Sequence, residues 1–210
     1  MKPRKPKEKL AAKLDLYKVH KSEYVTPKKP SIVQTRPAKY LTISGQGTPG
    51  GERFIACIAA LYGAAFTIKM NHKFSGMQDY AVCKLECRWF FGGDPAEIPR
   101  AKWKWTLMIR TPDFISGKDL VAAVEKSLKK GKAQEIKEVR LEKIDEGRCI
   151  QMLHVGPYEK ECESMALMRE FATANGLKFD GPFHEIYLSD PRRVPAACLK
   201  TILRQGAVKM

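Results

Sequence analysis

Leu41-Thr42-Ile43-Ser44-Gly45 and Met152-Leu153-His154-Val155-Gly156 are the two runs on which the fold turns. Each is a strand-like run ending on glycine, followed by one helix-forming stretch and two further strand-like stretches. After the first come the uncharged stretch Phe54 to Ile68 and two alternating runs, Tyr80 to Phe90 and Trp103 to Arg110. After the second come a helical stretch, Glu161 to Ala174, and strands at His184 to Asp190 and Leu199 to Leu203. The halves share an order of elements and almost no identities. Two such units predict an α+β fold: pseudo-twofold duplicated β-α-β-β modules with an antiparallel sheet, helices on one face and a ligand cleft on the other. The domain spans residues 39–210, with halves at about 39–112 and 145–208, behind a basic N-terminal arm, 1–38.

Local signals fill in the elements. Residues 54–68 carry no charge, but the stretch is short of the roughly 20 residues that span a bilayer. A helix apolar nearly all round belongs in a core. Lys118 to Lys130 reads as a surface helix closed by Gly131, and Val139 to Val155 as two strands around Asp145-Glu146-Gly147. In the 161–174 helix, Met165, Met168, Phe171 and Ala172 form the apolar stripe, Glu161 and Glu163 suit the first turn, and Asn175-Gly176 end it.

Composition sets the class. The 210 residues are 44% hydrophobic and 29% charged, which excludes wholesale disorder, collagen-like repeats and a coiled-coil rod. The net charge is +15, and residues 1–39 hold twelve basic residues against three acidic ones. That arm reads as a solvated, partly mobile segment. Its five prolines leave little room for a helix-turn-helix, so no nucleic-acid partner is expected. The six cysteines show no CxxC pair and no zinc spacing, and no apolar signal core follows Met1-Lys2-Pro3-Arg4-Lys5. Reduced, mostly buried thiols in a cytoplasmic protein without membrane attachment are the expectation, with no metal.

The pleat singles out side chains. In His184-Glu185-Ile186-Tyr187-Leu188-Ser189-Asp190, Ile186 and Leu188 are expected to face the helices, and Glu185 and Tyr187 to face away together, as Glu86 does in the first half. Two carboxylates and a phenol near aromatic rings would hold a flat cationic ligand, and a desolvated Glu is a candidate general base. The competing reading is an ordinary exposed pair, with Lys84, Glu86 and Arg88 as a charge ladder. His154 and His184 read as structural. Gly45-Gln46-Gly47-Thr48-Pro49-Gly50-Gly51 has neither P-loop nor GxGxxG spacing and reads as a turn, so no cofactor is expected.

Tyr40 to Gly47, Leu61-Tyr62, Leu85-Glu86-Cys87-Arg88-Trp89, Trp105 to Arg110, Leu153 to Tyr158 and above all His184 to Pro191 resemble the GyrI-like small-molecule-binding family, in order, from about Asp15 to Arg204. The resemblance implies two modules enclosing a ligand cleft, with Glu185 as the anchoring acid and Tyr187 beside it. It likewise implies Glu86 and Trp89 as the first-half acid and aromatic, and Tyr158 as the Tyr after Gly-Pro. Relatives fused to DNA-binding domains sense drugs, often cationic and aromatic, and stand-alone members include hydrolases of cyclopropanoid genotoxins. The leading expectation is a stand-alone binding protein for aromatic, often cationic, xenobiotic-like ligands. The alternative is a hydrolase with Glu185 and Tyr187 as catalytic groups. Relatives often read His-His-Glu where this chain has Phe183-His184-Glu185.

Overall fold

The computed structural model describes residues 12–95 and 97–210. The first glycine-ended run lies in β2 (Ala38–Gln46), followed by α3 (Glu52–Phe74), β3 (Glu86–Phe90) and β4 (Lys104–Thr111). The second lies in β6 (Arg148–Val155), followed by α5 (Glu161–Ala174), β7 (Leu177–Tyr187) and β8 (Lys200–Lys209). Preceding them are α1 (Leu16–Val19), α2 (Lys21–Tyr24) and β1 (Ser31–Gln34), and between them α4 (Gly117–Lys129) and β5 (Arg140–Ile144). The eight strands form one antiparallel sheet in the order β1-β6-β8-β7-β3-β4-β2-β5. The modules therefore meet at β7 and β3 with the same internal order, the pseudo-twofold α+β arrangement that the repeat predicts.

The glycine ending the first run has a steric reason. A Cβ on Gly45 would lie 2.3 Å from the Trp105 ring, which crosses the strand there. Gly156 has φ 147°, where only glycine sits without strain.

Two features depart from the linear reading. The strands around Asp145-Glu146-Gly147 are not partners: β5 pairs with β2 at one edge and β6 pairs with β1 and β8 near the other. Each module's leading strand thus closes the edge of the opposite module. The two crossing segments meet where Thr35 donates its backbone N–H and its hydroxyl to the Gly147 carbonyl, at 2.8 and 3.0 Å. Residues 81–85, expected in a strand, run without ladder partners up to β3.

Both faces of the sheet are covered. Helices α3, α4 and α5 cover one face, burying Leu41, Ile43, Cys87, Trp89, Trp105, Leu107, Met152 and Leu203 with Cys57, Leu61, Ala64 and Ile68 of α3. By length and composition α3 is long and apolar enough to cross a membrane, and here it packs on the sheet and α4. Its burial is one-sided, however: Ile55 and Phe66 are 57% and 52% exposed. A helix on the outside of a single sheet has only that sheet and one neighbouring helix to cover it.

The N-terminal segment covers much of the other face. Tyr24 packs on Ile186 and Ile202, Glu23 pairs with Arg110 at 2.6 Å, and Arg204 donates to the Glu23 carbonyl at 2.6 Å. The described part of the expected solvated arm, residues 12–38, is therefore structured and docked, because Leu16 and Tyr24 have apolar area to bury. Residues 1–11 of that arm lie outside the described residues.

Candidate functional site

Antiparallel partners point to the same side of a sheet, and this rule assigns every candidate to a face. Glu185 pairs with Cys87 on β3 and with Leu203 on β8, while Glu86 pairs with Ile186 and Met108. Glu185 and Tyr187 thus lie on the helix-bearing face, and Glu86, Ile186 and His184 on the opposite one. The expected convergence of Glu86 with Glu185 and Tyr187, away from the helices, is corrected accordingly. Apolar residues mark the side of the long helices only when the other face is wet; here Ile186 meets Tyr24 of the short α2 instead of α3 or α5.

Helix α3 packs on β2 and β4, and α5 on β6, β7 and β8, so β3 and the flank of β7 lie between them. There the Tyr187 hydroxyl donates to Glu185 Oε2 at 2.5 Å. Tyr158, in the turn that opens α5, meets the Tyr187 ring edge-on, with centroids 5.9 Å apart at 83°. Trp89 stacks against Phe54 at 5.8 Å, and its indole N–H faces Glu185 without closing a full hydrogen bond. Phe183 shares this face, buried in the core two residues before Glu185. Four of the five expected binding residues, Trp89, Tyr158, Glu185 and Tyr187, are therefore brought together.

A fifth group completes the cluster. Glu161, the first residue of α5, is only 6% exposed, lies within hydrogen-bonding reach of Glu185 and Thr201, and has an Oε1 with no partner. In the sequence it looks like an acid suited to a helix N-terminus, and nothing along the chain tells that its side chain points inward. Burial raises the pKa of Glu185, while the Tyr187 hydroxyl bonded to it, and then the nearby Trp89 indole and Glu161, favour the ionised form and oppose the shift. Burial, then the adjacent Glu185, raise that of Glu161. Burial and the same two acids push the Tyr158 phenol up to about 12. The cluster is a carboxyl pair under aromatic rings, able to hold a proton or a cation.

Glu86 belongs to a buried network behind it. His184, wholly buried, bridges Glu86 at 3.0 Å and Glu146 at 3.0 Å, and Arg204 reaches Glu146 at 3.3 Å. Tyr24 donates to Glu86 at 3.5 Å, and Arg110 to Tyr24 at 3.0 Å. His184 lies deep in the protein, yet its two carboxylates raise its pKa, and it in turn holds Glu146 down at about 2 against burial. The acids Glu23, Glu86 and Glu146 are thus interleaved with the basic side chains of Arg110, Arg204 and His184. His154 is structural too, joining β6 to α5 through Ser164 at 2.9 Å. Two open depressions of about 710 and 420 Å³ lie away from the carboxyl pair, the first lined by Phe90 and Thr106 and the second by Arg88 and Glu146.

Comparison with known proteins agrees with this architecture. A protein from Listeria innocua of unknown role is 35% identical, covering 93% of this chain and 100% of its own, with a TM-score of 0.89. A hydrolase from the same organism is 34% identical with the same coverage and a TM-score of 0.85. The C-terminal domain of EcmrR shares the fold at 10% identity, covering 87% of this chain and 98% of its own, with a TM-score of 0.58. No curated protein matches. The model of the GyrI-like small-molecule-binding domain matches residues 28–203, and the chain belongs to that family.

Proposed function

We propose that this protein is a hydrolase that binds flat aromatic, xenobiotic-like molecules between α3 and α5 and opens a strained ring in them with Glu185 as general base. The observation that carries the reading is the buried Glu185 carboxylate, held at 2.5 Å by the Tyr187 hydroxyl. Similarity to the Listeria hydrolase over nearly the whole chain supports it. Trp89 and Tyr158 supply the rings against which a planar ligand stacks, and the charge of the carboxyl pair tolerates a cation.

In a cyclopropane joined through a spiro carbon to a cyclohexadienone, Glu185 takes a proton from water as the water oxygen bonds to the cyclopropane methylene. The methylene's bond to the quaternary carbon breaks, and its electron pair makes the dienone an aromatic phenolate. Protonation of the phenolate oxygen returns the proton, so the net change is addition of one water. General-base assistance contributes about 10²–10⁴-fold to such a step.

Mass spectrometry of a cyclopropanoid alkylator incubated with catalytic amounts of protein tests this. Multiple turnovers to the water adduct are expected, falling at least about 10²-fold in Glu185→Gln. An intact compound that still raises the melting temperature would leave a binding protein and overturn the hydrolytic step.

A further inference from the structure

We infer that Glu161 is a positioning residue of this site: it carries the single proton of a two-carboxyl pair and donates it to Glu185, keeping Glu185 ionised and aimed into the cleft. This rests on the site proposed above but names a group outside its reacting set. Glu161 stands at the start of α5 with its side chain turned inward, 6% exposed, and one carboxyl oxygen buried without a partner. Two carboxyls within hydrogen-bonding reach in a buried site share a proton instead of ionising together.

The surroundings decide which one keeps it. From β7 and β3, the Tyr187 hydroxyl and the Trp89 indole both favour ionised Glu185. His184, behind the sheet, adds a smaller pull in the same direction. Glu161 has Thr201 of β8 as its helper, and Glu159 in the preceding turn repels its charge. Tyr158 and Cys87 are neutral at ordinary pH, since burial raises both. The start of α5 favours negative charge by its dipole, but that effect is small beside the desolvation of a buried carboxylate.

Carbon NMR titration of protein labelled at the glutamate δ-carbon, beside pH–rate profiles, tests the assignment. In wild type, one carboxyl should titrate well above the ordinary range, and turnover should fall at alkaline pH as the pair loses its proton. Glu161→Gln should remove both features, because its amide donates at every pH. Glu161→Ala should move the acidic limb upward, because Glu185 loses a donor, and be at least about tenfold slower than Glu161→Gln at neutral pH. A wild-type protein whose carboxyls all titrate in the ordinary range, or a Glu161→Gln profile matching wild type, overturns the inference. A protein without turnover whose high titration vanishes in Glu161→Gln refutes the hydrolytic reading and supports the pair. Turnover with ordinary titrations does the reverse.

Discussion

One step of the pleat separates Glu86 from a role beside Glu185. Its partner across the sheet is Ile186, not Glu185, so its carboxylate points behind the sheet at His184. Glu86→Gln should therefore lower stability by about 1–3 kcal/mol through a weakened buried partnership. It should leave turnover within about twofold. Urea unfolding and steady-state rates read the two effects, and loss of turnover in a stable Glu86→Gln protein would return Glu86 to the site. The residue types were legible: the aromatic and acidic signals at Trp89, Tyr158, Glu185 and Tyr187 mark side chains that do meet. The side to which they point was not, because β7 and β3 are central strands with apolar partners on both faces. Glu161 shows the same limit, since an acid in a first helical turn has a sufficient local reason to be there.

At the level of elements, the informative piece is the segment through α1 and α2. Its charge and prolines suggest a solvated arm, yet Glu23 is 3% exposed and seats Arg110. Glu23→Ala should cost about 3–5 kcal/mol, because it strands a buried guanidinium. Pairing Glu23→Leu with Arg110→Met should recover much of that loss, and limited proteolysis between α2 and β1 should accelerate in the single variant only. Denaturant midpoints unchanged by Glu23→Ala would show that the segment is not anchored through this pair. The helices were legible from capping and periodicity: α5 runs over Glu161–Ala174 as the acids and Asn175-Gly176 indicate, and α4 ends at Lys129, just before Gly131. The crossing of β5 and β6 was not, since Asp145-Glu146-Gly147 has the chemistry of a tight turn whether or not its flanking strands pair.

Across the whole molecule, the back-face network couples stability to pH with two signs. His184 has a raised folded pKa, so its contribution is complete below its unfolded value of about 6.5 and is lost as pH rises through the folded value. Glu146 is held at about 2, so its contribution is complete above the ordinary carboxylate value of about 4.3 and is lost as pH falls from there through about 2. Unfolding free energy should accordingly peak between about pH 4.5 and 6.5, as far as these two groups govern it. His184→Gln should flatten the alkaline decline, and an equally steep decline in that variant would sink the assignment.

The amino-acid sequence by itself determined the α+β class, the two-module order and the core helix. Those features depend on periodicity, capping and turn chemistry, which act between near neighbours in the chain. Only the tertiary structure decided which face Glu185 occupies, that Glu161 joins it, that β1 and β5 close opposite modules, and that the segment through α1 and α2 roofs the sheet. Each of these depends on contacts between residues far apart in the chain, and a local pattern is equally satisfied on either side of a sheet until something covers one of them.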